Sequence, residues 1–245
     1  MKLCLASSCT ALPQTIPRLK EVPFLLESFY YVKDFQIPLI HSADLFLLDS
    51  GAFTFMSNSK KAVDWDEYVS KYIAFINAND VKHFFELDID SVVGYEKVKE
   101  LRRRIEAETG KQCIPVWHKS RGVDEWKALC DNYKYISIGG IVTGEITKQE
   151  YPQMKKLVQY ADHRGVRVHG LGFTGAGVEG YGFYSVDSTS WLSFRRFGQC
   201  HMFDGNRMRS IPRPKGMRVC TENYPMIEEY ILGEWIKYQK FLARR

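Results

Sequence analysis

Tyr135-Ile136-Ser137-Ile138-Gly139-Gly140 opens the stretch that decides the fold, residues 135–171. A β-prone run over 135–138 ends in a glycine pair. Residues 148–163 then carry helical spacing and stop at Gly165, and 167–171 form a second strand that ends among glycines. Aromatic and β-branched residues suit a half-buried pleated strand. A periodic segment closed by glycine suits an amphipathic helix. Strand, helix, strand is the parallel βαβ unit.

The alternation extends in both directions. Further strands are expected over 2–6, 28–32, 44–49, 83–88, 113–117 and 183–186. Helices are expected over 18–27, over 64–79 with Asp64 or Asp66 as a start signal, over 95–109 before Gly110, and over 124–131. The eight strands predict an α/β fold with a parallel sheet, a single (β/α)8 TIM-type barrel; an open doubly wound sheet is the alternative. Residues 1–245 carry no repeat, linker or low-complexity tract, so one barrel domain with a C-terminal helix is expected. That helix, over 224–242, sets Ile227, Tyr230, Ile231, Trp235 and Tyr238 on one core-facing side.

Composition narrows the class. The chain has 245 residues, is 45% hydrophobic and 26% charged, and carries a net charge of +5. That suits a globule with a sizeable core and permits a polyanionic partner. The cysteines, Cys4, Cys9, Cys113, Cys130, Cys200 and Cys220, form no C-x-x-C pair. This points to a reducing, cytoplasmic setting. The apolar start, 2–6, is too short for a secretory signal, and no apolar run nears the roughly 20 residues of a membrane span.

The chemistry-bearing residues sit at strand ends. Asp49, Asp88 and Asp187 each close an apolar run, and Asp90 follows Asp88 by two. A parallel barrel gathers its strand C-termini on one face, so a cluster of carboxylates is expected there. One would serve as nucleophile and another as general acid or base. Each aspartate alone also reads as a turn or helix cap. Gly139-Gly140-Ile141 permits close approach of a flat ligand, or is simply a tight turn. His118 and the His169-Gly170 pair close strands in the same way. Arg195, Arg196, Arg207, Arg209, Arg213, Lys215 and Arg218, with Phe197 and Phe203 between them, read as a phosphate-contacting patch or as a solvated loop.

The ordered landmarks Asp49-Ser50-Gly51-Ala52-Phe53, Asp88, Gly139 to Glu145, His169 to Gly172 and Asp187 resemble those of the tRNA-guanine transglycosylase superfamily. The short length looks more like the phage DNA transglycosylases that place 7-deazaguanine bases in DNA. The resemblance implies a base exchange with no cofactor, in the host cytoplasm if phage-encoded. Asp187 would attack the anomeric carbon and release guanine, with Asp49 as general acid/base. Asp88 would hydrogen-bond the base, the backbone at Gly139, Gly140 and Ile141 would read it, and Glu145 would support that loop. Phe53, His118, His169 and Gly170 would complete the substrate-binding set. DNA is the expected partner and the 7-deazaguanine base the small-molecule substrate; tRNA is the alternative, and a non-catalytic nucleic-acid-binding barrel is the other. One departure stands out: the cysteine-rich zinc site of the tRNA enzymes has no counterpart. Cys200, His201 and Cys220 lack a recognised zinc spacing, so no metal is expected.

Overall fold

The structure, a computed structural model, describes residues 1–52, 54, 63–174, 177–212 and 221–245. The fold is α/β. Seven parallel strands, β1 (Lys2–Ala6), β2 (Phe24–Ser28), β3 (Leu45–Asp49), β4 (Val116–Trp117), β5 (Tyr135–Ile138), β6 (Arg167–Gly170) and β7 (Ser185–Ser188), form one sheet in the order β3-β2-β1-β7-β6-β5-β4. The longer helices are α1 (Trp65–Ala78), α2 (Tyr95–Thr109), α3 (Gly122–Asn132), α4 (Tyr151–Asp162) and α5 (Tyr224–Ala243).

The helices form where local signals ask for them. Asp64 caps α1 by accepting the Glu67 amide at 3.0 Å. Gly110 ends α2 in the left-handed conformation, φ 67°. Pro152 and Pro225 each sit in a first helical turn, where no intrahelical N–H is needed.

The sheet is curled. Cys4 and Ala6 of β1, Phe24 and Leu26 of β2, Leu45 and Leu47 of β3, Phe85, Ile114, Val116 and Tyr135 make one buried cluster. Alternate residues of a strand face opposite sides, so one face of every contributing strand turns toward a shared interior. The other face, with Leu3, Leu25, Phe46, Leu48 and Ile136, packs against the helices. α5 runs along the outside of β1, where the buried Gln239 amide donates to Leu3 O at 2.7 Å and Phe24 O at 2.8 Å.

Several expectations need correction. The strand expected over 28–32 lies earlier, at Phe24–Ser28, and the helix expected over 18–27 is a 3-10 turn, Ile16–Glu21. Pro23 separates the two, and Phe24, Leu25 and Leu26 are buried on both faces, which suits a strand inside a two-layer core. Residues 83–88 form no laddered strand. They make isolated bridges, Leu48 with Phe84 and Phe85 with Ile114. The strand expected over 113–117 shrinks to Val116–Trp117, because Pro115 offers no ladder N–H. The last strand of the main sheet is Ser185–Ser188, so Asp187 lies inside it, opposite Cys4 of β1.

Within the segment rich in arginine, β8 (Cys200–Phe203) and β9 (Met208–Ile211) form an antiparallel hairpin outside the main sheet, and Arg195 and Arg196 lie in a short helix, Ser193–Phe197. On α5, Tyr230 is 51% exposed and leaves the expected core face to Ile231, Leu232, Trp235 and Ile236. The described cysteines are free. Among the described residues, no helix is long and apolar enough to cross a membrane.

Candidate active site

Parallel strands bring their carboxyl ends to one edge, and the sheet gathers its acids there. Asp49 ends β3, Asp187 is the third residue of β7, Asp88 follows the bridged segment at Phe84–Phe85, and Glu145 lies in the loop after β5.

Asp187 is held from two sides. Its Oδ1 accepts the Gly172 N–H at 2.6 Å and lies 3.3 Å from His169 Nε2. The carboxylate can only accept, so His169 carries its proton on Nε2. His169 Nδ1 then accepts from Ser185 Oγ at 2.6 Å, and the Tyr135 hydroxyl donates to Ser185 Oγ at 2.5 Å. His169 and Ser185 are fully buried. This chain of hydrogen bonds runs through the interior of the curl and fixes the orientation of Asp187, with 13% of its side chain left accessible.

Asp49 has a different setting. Burial pushes its carboxyl up to about 6; the Gly51 N–H, 2.9 Å from Oδ2, opposes the rise, while the charges of Asp187 and Asp88 add to it. Asp49 therefore sits within electrostatic range of both other aspartates. Gly51 has φ 76°, and a Cβ there would fall 2.5 Å from Tyr30 Cβ, so the turn that supplies this N–H requires glycine.

Asp88, His118 and Glu145 form a row. His118 Nε2 meets Asp88 at 2.8 Å, and Nδ1 meets Glu145 Oε2 at 2.8 Å. Burial disfavours the imidazolium, but the two carboxylates outweigh it and push His118 up to about 9. The ring is thus charged at neutral pH and donates from both nitrogens. Glu145, penalised by burial, is nevertheless lowered by His118 and by the Ser120 N–H at 2.9 Å.

Beneath this row lies Arg121, with 3% of its side chain exposed. It reaches Asp90 at 2.9 Å, Asp88 at 3.3 Å and Glu86 at 3.2 Å, donates to Val116 O, and stacks on Tyr95. Glu86 is fully buried. Burial raises its carboxyl to about 7, against the pull of Arg102 and Arg121.

Asp88, Asp90 and His118 bring ligand-type atoms within 4.8 Å of one another. The protein's own cations occupy these donors: Arg121 reaches both carboxylates, and the His118 nitrogen faces Asp88. The donor set fits an internal ion-pair network better than a metal. At the other sulfur–nitrogen group, His201 is buried beside Trp235 with Ser193 Oγ at 3.4 Å, and Cys220 lies outside the described residues.

The expected substrate-reading residues divide. The Gly140 carbonyl accepts from Ile146 N–H, and the Ile141 carbonyl from Gly144 N–H, so both are used within the loop. Gly140 has φ 79°, and a Cβ there would meet Glu145 Oε2 at 2.6 Å. Gly139 faces the His118 ring in the same way. The glycine pair makes room for His118 and Glu145. Gly170 is buried against Phe173 and Phe183 and is a packing residue. His169 lies behind Asp187, not beside it at the surface. Phe53 lies outside the described residues.

The described residues of the basic segment divide. Arg195 donates to Thr10 O at 2.6 Å and pairs with the buried Glu228. Arg196 is exposed. Arg207 and Arg209 pair with Asp204 at the hairpin turn. That turn reaches Arg245 through Asn206, and nearby Leu242 O accepts from the Met1 amino group at the start of β1. Arg207 and Arg209 therefore lie toward the amino ends of the strands, away from the carboxylates. Arg213, Lys215 and Arg218 lie outside the described residues.

Sequence reasoning missed Arg121, Glu86, Ser185 and Tyr135. Ser185 and Asp187 share a strand face by their two-residue spacing, so that signal was present. Arg121 carries no comparable signature.

No family model matches the sequence, and no curated protein matches it significantly.

Proposed function

We propose that this chain is a base-exchange transglycosylase that replaces guanine in DNA with a 7-deazaguanine base, through a covalent bond between Asp187 and the sugar. The observation that carries the reading is the unequal pair Asp187 and Asp49. One carboxylate is fixed by N–H donors that suit the anion, and its neighbour is pushed up to about 6. Environments that separate two acids assign a nucleophile and a proton donor.

In the first step an Asp187 oxygen attacks the anomeric carbon. The bond to guanine breaks, its electron pair leaves with the base, and Asp49 supplies the proton. In the second step the incoming base gives a proton to ionised Asp49 and attacks the same carbon, and the ester to Asp187 breaks. Two displacements retain the configuration, as in retaining glycosidases. A duplex base must first leave the stack. A closed (β/α)8 barrel with an abbreviated fourth strand belongs to this reading; the bridges from Leu48 to Phe84 and from Phe85 to Ile114 support it, since they link the two edges of the sheet.

The test is incorporation of labelled guanine or 7-deazaguanine into duplex DNA and into tRNA. Incorporation into DNA supports the reading. Incorporation into tRNA alone keeps the chemistry and changes the substrate. Nucleic-acid binding without incorporation into either rejects base exchange.

A pH effect is also expected. Guanine departure needs protonated Asp49, so the single-turnover release of guanine falls as pH rises through about 6. Asp49→Asn removes that inflection. Release that stays constant between about pH 5 and 8 rules out Asp49 as the donor.

A further inference from the structure

The outer wall between α2 and α3 holds a cavity of about 400 Å³. Lys99, Arg102 and Arg103 project from α2 into its lining, with Gln112, Asn132 and Tyr133 around them. Its lining carboxylate, Glu125, accepts a hydrogen bond from the Tyr95 hydroxyl. Cations thus outnumber anions in this recess, although Lys99 is shared with Glu96 at 2.6 Å.

Arg102 is the unusual member. Only 7% of its side chain is exposed, and neither Nε nor Nη1 makes a hydrogen bond. Nη1 does lie 3.2 Å from Glu86 Oε2, so charge is balanced there while donor geometry is not. A guanidinium presents five N–H donors in a fixed fork that matches an oxyanion. Arg102 lines this recess together with two more cations, Lys99 and Arg103, and the amides of Gln112 and Asn132, a donor-rich lining complementary to a tetrahedral oxyanion. The Tyr133 ring, 5.2 Å from the guanidinium carbon, forms a flat wall beside it.

We infer that this cavity binds a small phosphate-bearing molecule, its phosphoryl oxygens held by Arg102, Arg103 and Lys99. The volume lies in the lower part of the small-ligand range of about 300–1,000 Å³. A recess between two helices admits a phosphomonoester more readily than the backbone of a duplex. Gln112 and Asn132, joined at 3.0 Å, precede β4 and β5 and so mark the amino side of the sheet, away from Asp187. The site is nonetheless linked to the carboxyl edge. Arg102 pairs with Glu86, Glu86 with Arg121, and Arg121 with Asp88.

Calorimetric titration tests this, with inorganic phosphate and ribose 5-phosphate as probes at fixed ionic strength in chloride. The wild-type chain takes up one equivalent saturably. Arg103 is exposed, so Arg103→Glu preserves the fold and weakens binding by about tenfold or more. Lys99→Glu acts in the same direction. Asp187→Ala binds like the wild type, which separates this site from the carboxyl edge and keeps the outcome independent of base exchange. Arg102→Met removes one of the two cationic partners of Glu86 and destabilises the fold, so the exposed Arg103 carries the test. Absence of saturable uptake overturns the inference. So does unchanged affinity in Arg103→Glu and Lys99→Glu together, or loss of binding in Asp187→Ala.

Discussion

If the chain carries out the proposed base exchange, Asp187→Ala is expected to lower it by about 10⁴-fold or more while nucleic-acid binding stays near the wild-type level. The substitution removes the atom that would bond to the sugar, and a nucleophile has no substitute within a fixed site. Asp187→Asn is the sharper variant, because the amide keeps the side-chain size and loses the charge. Truncation also leaves the Gly172 N–H and His169 Nε2–H without their acceptor, at a cost of about 1–3 kcal/mol each where water does not reach them. Circular dichroism and a denaturant titration therefore accompany the exchange assay. Exchange at the wild-type rate in a folded Asp187→Ala protein removes Asp187 from the mechanism.

Arg121→Ala destabilises the chain by about 3–5 kcal/mol, the usual cost of stripping one partner from a buried ion pair. Arg121 is the shared cation of Glu86, Asp88 and Asp90. Without it, Glu86 keeps the Val116 N–H and the Arg102 cation in a site with no exposure. The loss depends on pH, and its sign follows from Glu86. The folded carboxyl titrates near 7, above its ordinary value of 4.5, so the native state binds this proton more tightly than the unfolded chain does. Its contribution to stability therefore falls as pH rises from about 4.5 through about 7. At pH 5 Glu86 is protonated and needs Arg121 less; at pH 8 it is ionised and needs it most. Urea titrations at the two pH values should show the larger loss at pH 8. Equal, small losses at both would mean that water reaches Glu86 and that the network is not buried.

These two sites differ in how far the residues announced them. Asp187 was legible because it ends an apolar run and follows the other strand-end acids in order. Even so, its own strand reaches Ser188, since pairing with Leu5 of β1 extends the ladder past the acid. The basic segment was legible as charge, but the partners of its described residues were not. Its hairpin folds back along α5 and carries Arg207 and Arg209 away from the carboxylates, while Arg195 spends its charge on Glu228.

By itself the sequence determined the parallel α/β class, the helices closed by Asp64, Gly110 and Gly165, and the set of acids that the sheet gathers toward its carboxyl edge. Such features depend on backbone preference and on partners a few residues away, so they can be read locally. Tertiary structure alone decided where β2 begins, that residues 83–88 contribute bridges and not a ladder, and that Arg121 joins Glu86, Asp88 and Asp90. Arg121 lies more than thirty residues from each of these partners in the chain, and the curl of the sheet brings them together. Charge pairing falls off with distance in space, not along the chain, so no local pattern records it.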